Sequence, residues 1–180
     1  ITTYTHRHFD PTDPDPELIL IEDIAHALSM LCRGNGHVSS FWSVGEHCIC
    51  CAKEAAGRGL SKKVILACLL HDASECYMSD VPRPLKQNMK DYKQQESSLL
   101  DVIYRKFLGE ALTEEEEKQI KAIDDDLLWY DLEMLLGEKQ DREKPELHIR
   151  LDYKVRPFDM VEREYLDFFR ELSSELENKV

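Results

Sequence analysis

Leu69-Leu70-His71-Asp72-Ala73-Ser74-Glu75 joins the end of an apolar run to three ionisable residues. The run before it, from position 64 to 70, is apolar nearly all round, which predicts a central, buried helix. Charged groups in such a place are costly unless they are paired or bound to a metal. His71 and Asp72 project about 100° apart on a helix, so both reach one point only beside the helix near its end. Glu75 follows one turn later on the same side.

Further metal ligands stand on two other predicted helices. His47 lies one turn after a helix cap, and Asp124, Asp125 and Asp126 lie among apolar residues. Taken singly, each signal is weak: a His-Asp pair arises by chance, a lone histidine is more often a core residue, and three aspartates form a solvated turn. Their combination on three helices is more specific, and imidazole with carboxylate suits Mn, Fe, Co or Zn better than Ca.

Hydrophobic periodicity predicts six helices, and two capping boxes mark where two of them begin. Ser43 with Glu46 opens the second helix, and Thr113 with Glu116 opens the fifth. The predicted ranges are about 22–32, 43–56, 61–77, 91–108, 113–136 and 160–176. We therefore expect an all-α bundle in a single domain over 1–180, with an extended arm (1–16), a core (22–136) and a C-terminal part (147–180).

One segment departs from the helical pattern. From Leu147 to Val155, apolar and polar residues alternate strictly, which is a strand signal. A lone strand is not stable. We therefore predict a minor two-stranded β-ribbon that joins this segment to the N-terminal arm.

Composition limits the partners and the compartment. The net charge of −13 argues against long nucleic acids, because phosphate backbones attract basic surfaces. No stretch approaches the ~20 apolar residues of a membrane helix. Six cysteines include Cys48 and Cys51 in C-x-x-C spacing, without a second pair at zinc-ribbon spacing. Buried free thiols are the favoured interpretation over a redox pair or a structural metal, and they favour the cytoplasm.

The order His…His-Asp…Asp on helices resembles the HD-domain phosphohydrolases, and among them the small bacterial and phage HD proteins that include 5′-deoxynucleotidases. The resemblance covers about residues 4–136. It is carried by 21–29 (IEDIAHALS), 43–47 (SVGEH), 69–75 (LLHDASE), 80–86 (DVPRPLK) and 120–124 (IKAID).

The resemblance implies that His47, His71, Asp72 and Asp124 bind one divalent transition metal: Co, Mn, Zn or Fe, with Mg also compatible. Asp124 is preferred to Asp125 because of its spacing from the following leucines.

The resemblance also implies roles around the metal. Glu75 would position or activate the attacking water, and Asp80 would hold the sugar or the water. Arg33 would bind the substrate phosphate; the alternative is a surface arginine that satisfies carbonyls at a helix end. His37 would contact the phosphate, and Trp42 either stacks on a base or packs in the core.

The expected activity is removal of phosphate from (deoxy)nucleoside 5′-monophosphates by a metal-bound water. One alternative is a nucleoside triphosphohydrolase or a phosphodiesterase on cyclic or oligonucleotide substrates, and another is a non-catalytic HD binding scaffold. The expected partners are a small phosphorylated nucleotide and further copies of the chain, in a homodimer or higher homo-oligomer.

Overall fold

The computed structural model describes residues 1–177, and its regular secondary structure is helical. The helices are α1 (Ile21–Met30), α2 (Val44–Gly57), α3 (Lys62–Leu70), α4 (Glu75–Met78), α5 (Arg83–Lys86), α6 (Lys90–Leu108), α7 (Glu114–Leu136) and α8 (Phe158–Glu177). Two 3₁₀ turns, Pro16–Leu18 and Arg33–Gly36, flank α1. The predicted all-α class is confirmed. None of the described helices combines the length and apolar character needed to cross a bilayer.

Both predicted capping boxes are formed. The Ser43 hydroxyl accepts the N–H of Glu46, and the Glu46 carboxylate accepts the N–H of Ser43. Thr113 and Glu116 make the same reciprocal pair at the start of α7. These caps satisfy N–H groups that the first turn of a helix leaves unpaired, so they fix where α2 and α7 begin.

The centre of the molecule is α3, in which every residue from Val64 to Leu70 is buried. It packs against α2, α6, α7 and α8, while α1 packs against α2 and α8. The α1–α2 contact is close at Gly45, where an added Cβ would lie 3.2 Å from the backbone of Leu28. A helix covered on all sides must be apolar all round, which is the pattern that its sequence shows.

The third predicted helix is wrong at its C-terminal end, because α3 stops at Leu70 and a turn precedes α4. Three groups occupy the last carbonyls of α3. His71 Nδ1 donates to Cys68 O (2.7 Å), the Tyr165 hydroxyl donates to Leu69 O (2.6 Å), and Ala73 N donates to Leu70 O (2.9 Å). A histidine at a helix end commonly takes such a carbonyl. His71 and Asp72 consequently stand in a turn at the end of the buried helix.

The predicted β-ribbon is wrong. Residues 1–177 contain only two isolated bridges, Thr2 with His8 and Cys32 with Ser43, and neither joins the arm to the later segment. The N–H groups of His148 and Ile149 donate to the buried Glu54 carboxylate instead of to a neighbouring strand. The alternating segment is thereby attached to α2 as an irregular chain.

Candidate metal centre

The fold brings together the four residues predicted as metal ligands. His47 lies in the first turns of α2, His71 and Asp72 lie in the turn after α3, and Asp124 lies on α7. Asp124 Oδ1 is 3.0 Å from His47 Nε2 and 3.7 Å from His71 Nε2, and Asp72 Oδ2 is 3.2 Å from His71 Nε2. The centroids of the two imidazole rings are 5.3 Å apart.

In both histidines the Nδ1 atom is engaged by a hydrogen-bond acceptor, which leaves Nε2 as the nitrogen that could bind a metal. His71 Nδ1 is taken by Cys68 O, and His47 Nδ1 donates to Asp131 Oδ2 at 3.1 Å, so both Nε2 atoms face the site. His71 Nε2 is buried and has no hydrogen-bond partner among residues 1–177. Donors bound at about 2.1 Å to one ion lie roughly 3 Å or a little more from one another, and the three distances given above, 3.0, 3.2 and 3.7 Å, are of that order. The donor set therefore fits a divalent transition metal.

Both carboxylates are ionised, as ligands must be. Burial would raise the pKa of Asp72, but the charge of His71, 3.2 Å away, outweighs this and lowers the pKa to about 2. Burial would likewise raise the pKa of Asp124, yet the hydrogen bond with His47 and the charges of both imidazoles hold it well below its usual value.

The neighbouring Asp125 points elsewhere. Its Oδ1 accepts Arg83 Nη2 at 3.0 Å and its Oδ2 accepts Lys121 Nζ at 2.6 Å. Arg83 also donates to Asp124 Oδ2 at 3.0 Å. Of the consecutive aspartates, Asp124 is thus the one that stands beside the two imidazoles.

Arg33 lies against the site, with its side chain only 13% exposed. Its Nη1 is 3.6 Å from Asp72 Oδ2, and its Nε is 3.2 Å from Asp131 Oδ2. Burial would lower the pKa of Arg33, but the charges of Asp131 and Asp72 outweigh it and raise the pKa. Arg33 is therefore a largely buried, permanently charged group beside a candidate metal ligand.

Two further acidic residues predicted to be catalytic lie near the ligands. Glu75 is buried in the first turn of α4, its Oε2 has no hydrogen-bond partner among the described residues, and Lys86 Nζ is 3.8 Å from its Oε1. Burial, together with the charges of Asp72 and Asp80, raises the pKa of Glu75 well above its usual value. Asp80 is half-buried just after α4.

Among residues 1–177, neither of the two remaining predicted substrate contacts forms a hydrogen bond or ion pair with the four candidate ligands. His37 is exposed at the end of the turn after α1. Trp42 is 3% exposed, and its ring lies 4.8 Å from that of Tyr153, centroid to centroid. This position favours packing over stacking on a base.

Sequence reasoning missed Asp131 and Tyr153. Asp131 is buried and contacts both His47 and Arg33, and the Tyr153 hydroxyl donates to its Oδ1 at 2.9 Å. The available signal was its spacing: Asp131 stands seven residues after Asp124, which places the two on one face of α7.

All six cysteines are free thiols, but only Cys48, Cys51 and Cys68 are buried as expected, and the other three are partly exposed. Cys51 Sγ lies 3.5 Å from His47 Nε2, and burial raises the pKa of this thiol well above the ordinary value. Within 4.8 Å of one another, His47, Cys51 and His71 each offer a ligand atom. A buried protonated thiol behaves as a small hydrophobe beside the imidazoles.

Two cavities flank His71. One, of about 320 Å³, is bordered also by Asp124, Tyr104 and Lys121. The other, of about 270 Å³, is bordered also by Asp72, Lys86 and Lys93. Both are of the size that holds part of a small ligand.

The HD-domain family model matches residues 37–153 of the chain. The chain is similar to the uncharacterized protein YfdR of Escherichia coli (strain K12), with 36% identity over 107 residues, 59% of this chain and 57% of that protein. It is also similar to the uncharacterized protein RCAP_rcc00048 of Rhodobacter capsulatus, with 35% identity over 124 residues, 66% of this chain and 63% of that protein. The chain thus spans about 57–63% of the length of these curated relatives.

Proposed function

The chain belongs to the HD-domain family, and from that premise we propose that it is a metal-dependent phosphohydrolase that removes phosphate from (deoxy)nucleoside 5′-monophosphates. The observation that carries the proposal is the convergence of His47, His71, Asp72 and Asp124 from three parts of the chain. A divalent transition metal held there would lower the pKa of a bound water and polarise a phosphoryl oxygen.

Arg33 supplies the positive charge for the substrate. In the structure its guanidinium contacts Asp72 and Asp131, and burial strengthens its electrostatic field. From that position it would offset the charge of a phosphate bound beside Asp72. Such positioning and charge stabilisation account for most of the catalysis in phosphoryl transfer.

Glu75 is the group that would exchange a proton with the attacking water or with the leaving oxygen. A carboxyl with a raised pKa exchanges protons at neutral pH more readily than an ordinary glutamate. Its Oε2 has no hydrogen-bond partner among residues 1–177, which leaves that atom available to the water or to the leaving oxygen. Asp80 contributes negative charge that keeps the proton on Glu75.

The choice of a monophosphate rests on the resemblance to 5′-deoxynucleotidases and on Arg33, the one arginine among residues 1–177 that pairs with Asp72; Arg83 pairs with Asp124 and Asp125 instead. A second candidate is a nucleoside triphosphate, which needs more cations. Lys86 and Lys93 border the cavity beside His71 and Asp72, and they favour this candidate. Against it, Lys86 is already bound to Glu96 at 2.7 Å.

The test is release of phosphate from all ribo- and deoxyribonucleoside mono- and triphosphates. Metal-stripped protein is supplied in turn with Mn²⁺, Co²⁺, Mg²⁺ and Zn²⁺. We expect phosphate from monophosphates and loss of activity in Asp72→Asn. Asp101→Asn is the matched control, because it removes the same charge from an exposed position on α6.

The other outcomes are distinct. Tripolyphosphate released from triphosphates would favour the second candidate. Metal binding without turnover of any mono- or triphosphate would contradict the proposed activity and leave diesters or a binding scaffold.

A further inference from the structure

Asp131 is a buried carboxylate that contacts donors from three separate segments. His47, on α2, donates from Nδ1 to the Oδ2 atom of Asp131 (3.1 Å), and Arg33 Nε lies 3.2 Å from the same oxygen. Tyr153, in the segment before α8, donates from its hydroxyl to Oδ1 (2.9 Å). Asp131 itself is 6% exposed. An ionised group this deeply buried needs such a full set of partners.

The placement of these contacts indicates more than structural support. Because His47 gives its Nδ1 hydrogen to Asp131, its Nε2 is the nitrogen left to face Asp124 and His71. A carboxylate behind a metal-binding imidazole fixes the tautomer and the ring orientation and makes the imidazole a stronger ligand. The positive charge of Arg33 balances that of Asp131, which allows the carboxylate to stay ionised in the interior.

Tyr153 contacts Asp131 on the side of the carboxylate away from His47. Its hydroxyl holds the carboxylate oxygen that does not face His47, and its ring packs against the buried Trp42. The irregular segment that carries Tyr153 is thereby joined to the centre through Asp131, and neither Asp131 nor Tyr153 borders the two cavities beside His71.

We propose that Asp131 is a positioning residue that orients His47 for metal binding, and that Tyr153 acts on the metal only through Asp131. The inference rests on the proposed function, since it assigns a role toward the metal of the same site.

The test is a titration of metal-stripped protein with Co²⁺ alone, read from its visible absorption spectrum. Asp131→Asn keeps the shape of the side chain but removes its charge. We expect it to weaken Co²⁺ binding by about 10- to 100-fold and to change the spectrum, because the imidazole loses its orientation. Glu133→Gln, an exposed charge on the same helix, is the matched control and should change neither.

A second variant separates positioning from folding. Tyr153→Phe removes one hydrogen bond to Asp131 and should weaken Co²⁺ binding by roughly three- to tenfold. In the double variant with Asp131→Asn, the Tyr153 substitution should add less than about twofold, because its effect passes through the carboxylate. If Asp131→Asn does not fold by circular dichroism, the Tyr153→Phe titration decides alone.

The outcomes distinguish this inference from the proposed function. Wild-type protein that binds Co²⁺, with both variants unchanged in affinity and spectrum, would overturn the positioning role only. Wild-type protein that binds no divalent metal would overturn both. Binding weakened as expected, without hydrolysis of nucleotides, would support the positioning role and contradict the proposed activity.

Discussion

Glu54 attaches the irregular 147–155 segment to the core, and we expect its replacement by alanine to lower the free energy of unfolding substantially. The side chain is fully buried on α2. Its Oε1 accepts Arg58 Nε at 2.8 Å and lies 3.1 Å from His148 Nδ1. Its Oε2 accepts the N–H groups of His148 (2.8 Å) and Ile149 (3.2 Å).

The expected magnitude follows from these contacts. A hydrogen bond to a charged group contributes about 1.5–3 kcal/mol to the free energy of unfolding. In Glu54→Ala, Arg58 keeps Asp126 at 2.8 Å, and the two N–H groups lie next to the half-exposed His148 side chain, where water reaches them. These replacement partners recover part of the loss, so we count about two lost bonds rather than four, which gives about 3–6 kcal/mol and overlaps the cost of breaking a buried ion pair.

The assay is urea unfolding at pH 7, with Glu133→Gln as an exposed control on α7. In a thermal scan the same loss lowers Tm by roughly 10 °C for a chain of this size. A Glu54→Ala protein within about 1 kcal/mol of wild type would refute the assignment of Glu54 as the anchor.

The pH dependence provides an independent check. Burial would raise the pKa of Glu54, but hydrogen bonds from Arg58 and His148 outweigh it and lower the pKa in the folded state. A depressed pKa gives stability that is fully present above the unfolded value of about 4.3 and is lost as the pH falls through the folded pKa. The stability gap between wild type and Glu54→Gln should thus be constant from pH 7 to about pH 5 and shrink below pH 4. A gap that widens on acidification would contradict this sign.

Three further outcomes are expected. Gly45→Ala should lower the free energy of unfolding by about 1–3 kcal/mol in urea titrations, because the added Cβ would lie only 3.2 Å from the Leu28 backbone. An unchanged unfolding midpoint would show that α1 shifts to accommodate the added methyl group. Asp124→Asn should weaken Mn²⁺ binding, measured calorimetrically, by more than ~100-fold, whereas Asp125→Asn should stay within a few-fold; equal effects would reassign the ligand. Treatment with a chelator should abolish hydrolysis and raise amide exchange in the turn after α3, and added Mn²⁺ should reverse both; activity that survives metal removal would contradict the proposed chemistry.

The helices could be predicted from sequence because their signals are local. Reciprocal caps at Ser43 and Thr113 mark two starts, and an uninterrupted apolar run marks the buried α3. The end of α3 was not predictable in the same way. It depends on a hydroxyl from Tyr165, 96 residues away, that occupies the carbonyl of Leu69.

The alternation of residues 147–155 misled for a related reason. Strict alternation indicates only that successive side chains face opposite environments. An extended chain that lies on a helix shows this alternation as well as a β-strand does. Leu147 and Leu151 pack against the core, and the Tyr153 hydroxyl reaches Asp131. What decides between strand and irregular chain is the partner of the backbone N–H groups, and that partner is one buried carboxylate, Glu54.

In the candidate centre, too, the residues with a local sequence signal could be predicted, and those whose role depends on distant partners could not. The four predicted ligands carry their own signal, because ionisable groups in apolar helical surroundings are conspicuous in a sequence. Asp131 has that signal too, yet its meaning depends on donors 84 and 22 residues away along the chain, His47 and Tyr153. Periodicity places Asp131 on the face of α7 that carries Asp124 but does not say what stands opposite. The groups that hold a ligand in place are therefore the part of such a centre for which three-dimensional structure is needed, and the part where substitutions test the geometry most directly.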